Sequence, residues 1–172
     1  PVVAIRPTVA YVTNAAAPVG DKYLLVDSVF ARNDAGGDIR AFASWNEDAL
    51  AFTLQTPQAC KLVNLKIDGS ATNGFWEGGD TYVLEIKDGK VALRGLGLNR
   101  EIAEARVVET TRDGSHWLTF TVPARLGQGV SKEINYGGKR EPQDVADGLT
   151  LVNGRAIGLN ILLTFEDGTK AY

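Results

Sequence analysis

Apolar and polar residues alternate with a period of two along much of this chain. The clearest run is Thr81-Tyr82-Val83-Leu84-Glu85-Ile86-Lys87, with Tyr82, Leu84 and Ile86 on one side and Thr81, Val83, Glu85 and Lys87 on the other. Successive side chains of an extended backbone point to opposite faces, so the run predicts a half-buried strand. It closes at the turn Asp88-Gly89 and is preceded by the glycine-rich stretch Thr72-Asn73-Gly74-Phe75-Trp76-Glu77-Gly78-Gly79-Asp80. From the start of the chain, residues 2–13 predict a strand kinked at Pro7. Residues 22–32 predict another, ended by the turn cluster Asn33-Asp34-Ala35-Gly36-Gly37-Asp38. Residues 39–45 and 49–55 predict a hairpin around Asn46-Glu47-Asp48. Helix competes there, because alanine and leucine are good helix formers. The alternation and the following Pro57 favour strand.

Residues 60–67 predict a short strand ended by Asp68-Gly69, and 91–98 a weaker one broken by glycines. The strongest hairpin joins 102–110 to 115–122 through Arg112-Asp113-Gly114. In its second strand Leu118, Phe120 and Val122 take the core side, which sends Trp117, Thr119 and Thr121 outward. Residues 127–148 are polar and rich in glycine and charge, and are expected as a long loop. A last strand pair is expected over 149–152 and 156–165, with Glu166-Asp167-Gly168 turning the chain. About ten short strands and no helix predict an all-β fold, a two-sheet antiparallel β-sandwich of the immunoglobulin-like or jelly-roll type. At 172 residues the expectation is one such domain spanning 1–172.

Charge narrows the partners. A net charge of −3, with Lys and Arg scattered rather than striped, argues against a nucleic-acid surface. No apolar run approaches the roughly 20 residues that span a bilayer, so no membrane partner is expected. The opening Pro1-Val2-Val3-Ala4 has no charged region followed by an apolar core. The expectation is a secreted or periplasmic protein whose export signal has been removed. Cys60 stands alone and leaves the redox compartment open.

Catalytic chemistry has few candidates. His116 is the sole histidine, and no nucleophile-elbow sequence accompanies it. One cysteine and one histidine are too few for a zinc site. Gly95-Leu96-Gly97-Leu98 lacks the Lys-Ser/Thr of a phosphate loop, so no nucleotide is expected. Haem is not expected either, since methionine is absent and His and Cys occur once each. Glu77 with Asp80, or Glu85 with a neighbour across the sheet, would be the carboxylate pair of a glycosidase, a distant third reading. Calcium asks less, only clustered oxygens. Glu77 and Asp80 are its candidates, with Asp34/Asp38 and Glu166/Asp167 as weaker ones.

The tryptophans point to binding rather than chemistry. Sugars present C–H faces that stack on aromatic rings, and hydroxyls that pair with amides, carboxylates and arginine. Trp76 sits in a glycine-flanked turn where its ring is naturally exposed. Trp117 lies on the non-core side of its strand, with function and plain surface packing both open. Trp45 follows Ala41 and Ala43 and is expected to plug the sandwich edge.

Four stretches, in order from about Arg40 to Gly168, resemble family 9 carbohydrate-binding modules (CBM9) and their DOMON-like relatives. Ser44-Trp45-Asn46-Glu47-Asp48-Ala49-Leu50-Ala51-Phe52 resembles a Trp-Asp-acidic hairpin of that family. Phe75-Trp76-Glu77-Gly78-Gly79-Asp80-Thr81-Tyr82-Val83-Leu84-Glu85-Ile86-Lys87-Asp88 is similar to its Trp-Glu-x-Asp-Ser-Val-Glu-Ile segment, with one extra glycine. Asp113-Gly114 through Pro123 resembles its Asp-Gly-aromatic strand, and Gly158-Leu159-Asn160-Ile161 its Gly-Phe-Asn-Ile strand. The resemblance implies a sandwich attached to a secreted enzyme that degrades polysaccharides, often calcium-bound, with a sugar clamped between tryptophans. It carries the clamp role to Trp76 and the strand asparagine to Asn160. The chain departs from the pattern at Val83, where the family has a sheet-face glutamate, and at Leu162, where it has a glutamine. The family's N-terminal Asp-Gly…Trp opening is missing, and Tyr172 comes before its second clamp tryptophan.

The expected function is a non-catalytic carbohydrate-binding domain of a secreted bacterial polysaccharide-processing protein, taking an oligosaccharide or polysaccharide. Trp76 would stack on a sugar ring and Asn160 and Glu85 would hydrogen-bond its hydroxyls. Trp117 or the 127–148 loop would wall the site. The alternative is an accessory sandwich docking on another domain of the parent protein through Val83, Leu162 and Trp76, without sugar.

Overall fold

The computed structural model describes residues 10–12, 18–27, 30, 32–68, 81–95, 98–126, 130–136, 139–145, 149–150 and 158–172. In chain order the strands are β1 (Ala10–Tyr11), β2 (Leu24–Asp27), β3 (Arg40–Trp45), β4 (Ala49–Thr56), β5 (Cys60–Asp68), β6 (Thr81–Lys87), β7 (Lys90–Gly95) and β8 (Leu98–Glu101). There follow β9 (Arg106–Arg112), β10 (Ser115–Pro123), β11 (Arg125–Leu126), β12 (Val130–Tyr136), β13 (Lys139–Val145), β14 (Leu149–Thr150), β15 (Gly158–Phe165) and β16 (Lys170–Ala171). One 3₁₀ turn, Asp21–Tyr23, precedes β2.

Two six-stranded sheets carry the fold. The first runs β1-β3-β4-β10-β9, with β2 also on β3. The second runs β16-β15-β5-β6-β7-β8. Every pairing is antiparallel except that of β1 with β3. The alternation read from the sequence is what closes the core. Leu50, Phe52, Leu54, Leu118, Phe120 and Val122 of the first sheet join Val63, Leu65, Leu84, Ile86, Leu93, Leu163 and Phe165 of the second in one buried cluster. Phe52 and Phe120, paired across β4 and β10, stack at 5.2 Å between centroids. Each large apolar side chain fully buried this way stabilises the fold by about 1.5–3 kcal/mol.

The turns follow from their residues. Asp88-Gly89 and Asp113-Gly114 have φ of 50°, 72°, 52° and 74°, the doubly left-handed geometry that twists a two-residue hairpin correctly. Glycine takes the second position of each because no Cβ opposes that backbone. At 46–48 the Asn46 Oδ1 accepts the backbone N–H groups of Asp48 (3.0 Å) and Ala49 (2.8 Å), which fixes the start of β4.

Several expectations change. Within 22–32 the chain first makes the 3₁₀ turn, whose Tyr23 N–H donates to Gly20 O at 2.9 Å, and only then extends. Of 2–13, only Ala10–Tyr11 is a described strand, and most of the rest lies outside the described residues. The 91–98 stretch divides between β7 and β8. Where a long loop was expected over 127–148, β12 and β13 pair in a ribbon that joins neither main sheet. A ribbon held by backbone hydrogen bonds outside both sheets leaves little apolar alternation to read. The expected final strand pair is not a pair: β14 binds β11, and β15 binds β5. Alternation assigns residues to faces, but says nothing of which distant strand is the partner.

Candidate functional site: the outer face of the second sheet

In the second sheet Val63, Leu65, Leu84, Ile86, Val91, Leu93, Ile161 and Leu163 are buried, so the intervening positions form its outer face. Register arranges these in adjacent rows. One row is Leu162–Asn64–Glu85–Ala92–Glu101, and in the next Val83 pairs with Arg94. Arg94 is therefore diagonal to Glu85, and its Nη2 lies 2.8 Å from Glu85 Oε1. The carboxylate side chain is 21% exposed and the guanidinium side chain 48%. A pair this open adds at most about 1 kcal/mol to folding, but it holds both groups in place at the surface.

Beside this pair lies a cleft of ≈ 360 Å³, whose lining side chains are Lys61, Leu62, Glu85, Lys87, Arg94 and Thr164. Lys61 reaches it because β5 and β15 slip in register there. Leu62 opposes Thr164 while Cys60 opposes Phe165, leaving Lys61 as an extra residue. Such a bulge re-aims a side chain. Nearby, Lys90 and Glu101 pair at 3.2 Å across β7 and β8. Lys61 and Lys87 have no ion-pair partner among the described residues.

Glu85 lies in this cleft. Asn160 belongs to the same sheet, at the register position opposite Lys66. Trp117 does not join them, because β10 is in the first sheet. Its ring stacks on Phe42 (6.3 Å, 19° between planes), and the Arg112 guanidinium sits 4.2 Å from its centroid. Trp76, Glu77 and Asp80 lie outside the described residues. Among the described residues, no three His, Cys, Asp or Glu side chains come together as a set able to hold a metal ion. Trp45 packs against the core cluster, and Tyr11 meets it edge-on at 5.2 Å.

Arg94, Lys87 and Lys61 were not singled out from the sequence. The first two were within reach: a two-residue turn at Asp88-Gly89 pairs Lys87 with Lys90 and Val83 with Arg94, which brings Arg94 to Glu85. The bulge that presents Lys61 has no such signal.

The histidine occupies a different place. His116 Nε2 is 3.3 Å from Glu109 Oε2, within ion-pair range but without hydrogen-bond alignment, and its side chain is 11% exposed. Burial pushes the nearby Cys60 thiol up to about 12 despite a hydrogen bond with Thr56, with Glu109 and Glu166 adding to the shift. A nucleophilic cysteine needs the opposite shift.

The fold is thus an all-β sandwich of two antiparallel sheets, with a cleft on the outside of one that is lined by charged residues and their alkyl stems. No protein-family model and no curated protein matches the sequence. Among solved structures the fold is similar to a family 9 carbohydrate-binding module from Caldicellulosiruptor kristjanssonii, solved in complex with glucose. The TM-score is 0.54 and the identity 8%, over 95% of this chain and 82% of that one. At that identity the likeness is one of fold.

Proposed function

We propose that this chain is a non-catalytic carbohydrate-binding domain, and that its site is the outer face of the second sheet. One observation carries the reading: the open cleft combines a fixed carboxylate–guanidinium pair, Glu85 and Arg94, with the alkyl surface of Leu62 and the hydroxyl of Thr164. Polar groups held at fixed separations match the hydroxyls of a sugar ring, while an aliphatic side chain covers its C–H face. The likeness of the fold to a module solved with glucose supports this reading. In the same proposal Trp76 is the ring that stacks on the sugar, and Glu77 and Asp80 are the calcium ligands. The parent is a secreted bacterial protein that processes polysaccharides.

The docking alternative needs an apolar patch made by Val83, Leu162 and Trp76, of which Val83 and Leu162 are described. Both are half-buried, and the β5 positions Asn64 and Lys66 separate them. Titration calorimetry against a panel of soluble oligosaccharides, with and without calcium, tests the proposal. Saturable binding that weakens in Glu85→Gln and Trp76→Ala is the expected result. A folded protein that binds none of them returns the weight to docking.

A further inference from the structure

Whatever occupies this cleft meets an excess of positive charge. Glu85 is its one carboxylate and is already engaged with Arg94, so the ammonium groups of Lys61 and Lys87 stand unopposed among the described residues. The whole chain carries −3, so the positive character belongs to this cleft and not to the protein at large. Concave surfaces lined by one sign of charge concentrate the opposite sign within them. Arg94 adds direction. Its Nη2 faces Glu85 Oε1, and a planar guanidinium carries further N–H groups in a fork that suits an anionic oxygen pair. A neutral sugar accepts hydrogen bonds from the two ammonium groups but leaves their charge uncompensated.

Resting on the carbohydrate-binding reading, we infer that the preferred ligand is an anionic saccharide whose carboxylate or sulfate is held by Lys61, Lys87 and Arg94. Glu85 orients the guanidinium and accepts a hydroxyl, and Leu62 and Thr164 contact the ring that carries the charge. The site selects by charge and then by shape.

The test is calorimetry on the intact chain with three ligands of equal length: a uronate oligosaccharide, its methyl ester, and a sulfated neutral oligosaccharide. The expected result is binding of at least one anionic ligand about tenfold or more tighter than the ester, a gap of about 1.4 kcal/mol. That gap shrinks as salt rises, since exposed charges are screened within about 10 Å at 0.1 M. Which anionic ligand wins assigns the group as carboxylate or sulfate. The double variant Lys61→Gln/Lys87→Gln loses most of the preference, Arg94 retaining a part, and keeps its urea midpoint because both side chains are exposed. Equal affinity for uronate, ester and sulfate, or a preference undiminished in the double variant, overturns the inference. If the ester still binds and depends on Glu85, the carbohydrate reading stands without it. If no saccharide binds, both fall together.

Discussion

The two sheets turn the same alternation to opposite ends. On the outer side of the first sheet, Phe42, Ser44, Ala51 and Thr53 are all nearly inaccessible. Thr53 and Thr119 share a hydroxyl hydrogen bond at 3.0 Å, and Trp117 is held between Phe42 and Arg112. On the outer side of the second sheet the matching positions are Glu85, Lys87 and Arg94, open to water around a cleft. Both sheets bury Leu, Val, Ile and Phe inward with equal discipline. A period of two therefore identifies the inner face reliably. The outer face declares its role by composition: small and aromatic residues where it is covered, charged residues where it is available.

Substitutions can break that contrast. The largest effect is expected from the shared interior: Phe120→Ala removes a fully buried ring stacked on Phe52 and costs about 3–5 kcal/mol in urea denaturation. On the covered outer face, Trp117→Ala loses a ring stack and a cation–π contact. It lowers stability by about 1–3 kcal/mol and leaves saccharide affinity unchanged. On the open face the pattern reverses. Glu85→Gln weakens saccharide binding about tenfold, or about 1.4 kcal/mol, while its denaturation midpoint stays within about 0.5 kcal/mol of the parent.

The last effect is read against pH and belongs to Cys60, at the start of the strand that leads into the open face. Its thiol holds its proton more tightly folded than unfolded, so its contribution is complete below about pH 8.5. That contribution is lost as pH rises toward the folded value of about 12. Wild type should lose stability more steeply than Cys60→Ala across that range. Thiol labelling near neutrality should be slow until the protein unfolds. A rapidly labelled Cys60 would contradict its burial.

Sequence alone showed the faces of β4, β6 and β10, because Leu50, Phe52, Leu84, Ile86, Leu118 and Phe120 repeat every second residue and all are buried. It also showed both Asp-Gly hairpin turns, since a doubly left-handed turn demands those residues. Partners beyond a hairpin were not legible. Nothing local in Gly158–Phe165 says that it pairs with Cys60–Asp68 rather than with Leu149–Thr150. The site was half legible for the same reason. Glu85 stood out as a carboxylate on a strand, Arg94 required the hairpin register, and Lys61 required a slip visible only across β5 and β15. Trp117 was rightly placed outward, but which sheet it belonged to depended on a pairing with β4.

That long-range pairing also orders the life of the molecule in time. The cleft takes Lys61, Leu62, Glu85, Lys87 and Arg94 from one part of the chain and Thr164 from roughly a hundred residues later than its partner Leu62. As the polypeptide emerges from the ribosome, β5 to β8 can fold back on each other as a meander while one flank of β5 still waits for its neighbour. Until β15 arrives, that flank is a raw edge with unpaired backbone groups, the state most prone to sticking to another nascent chain. The binding surface and the protection of the chain from aggregation are completed by the same late event.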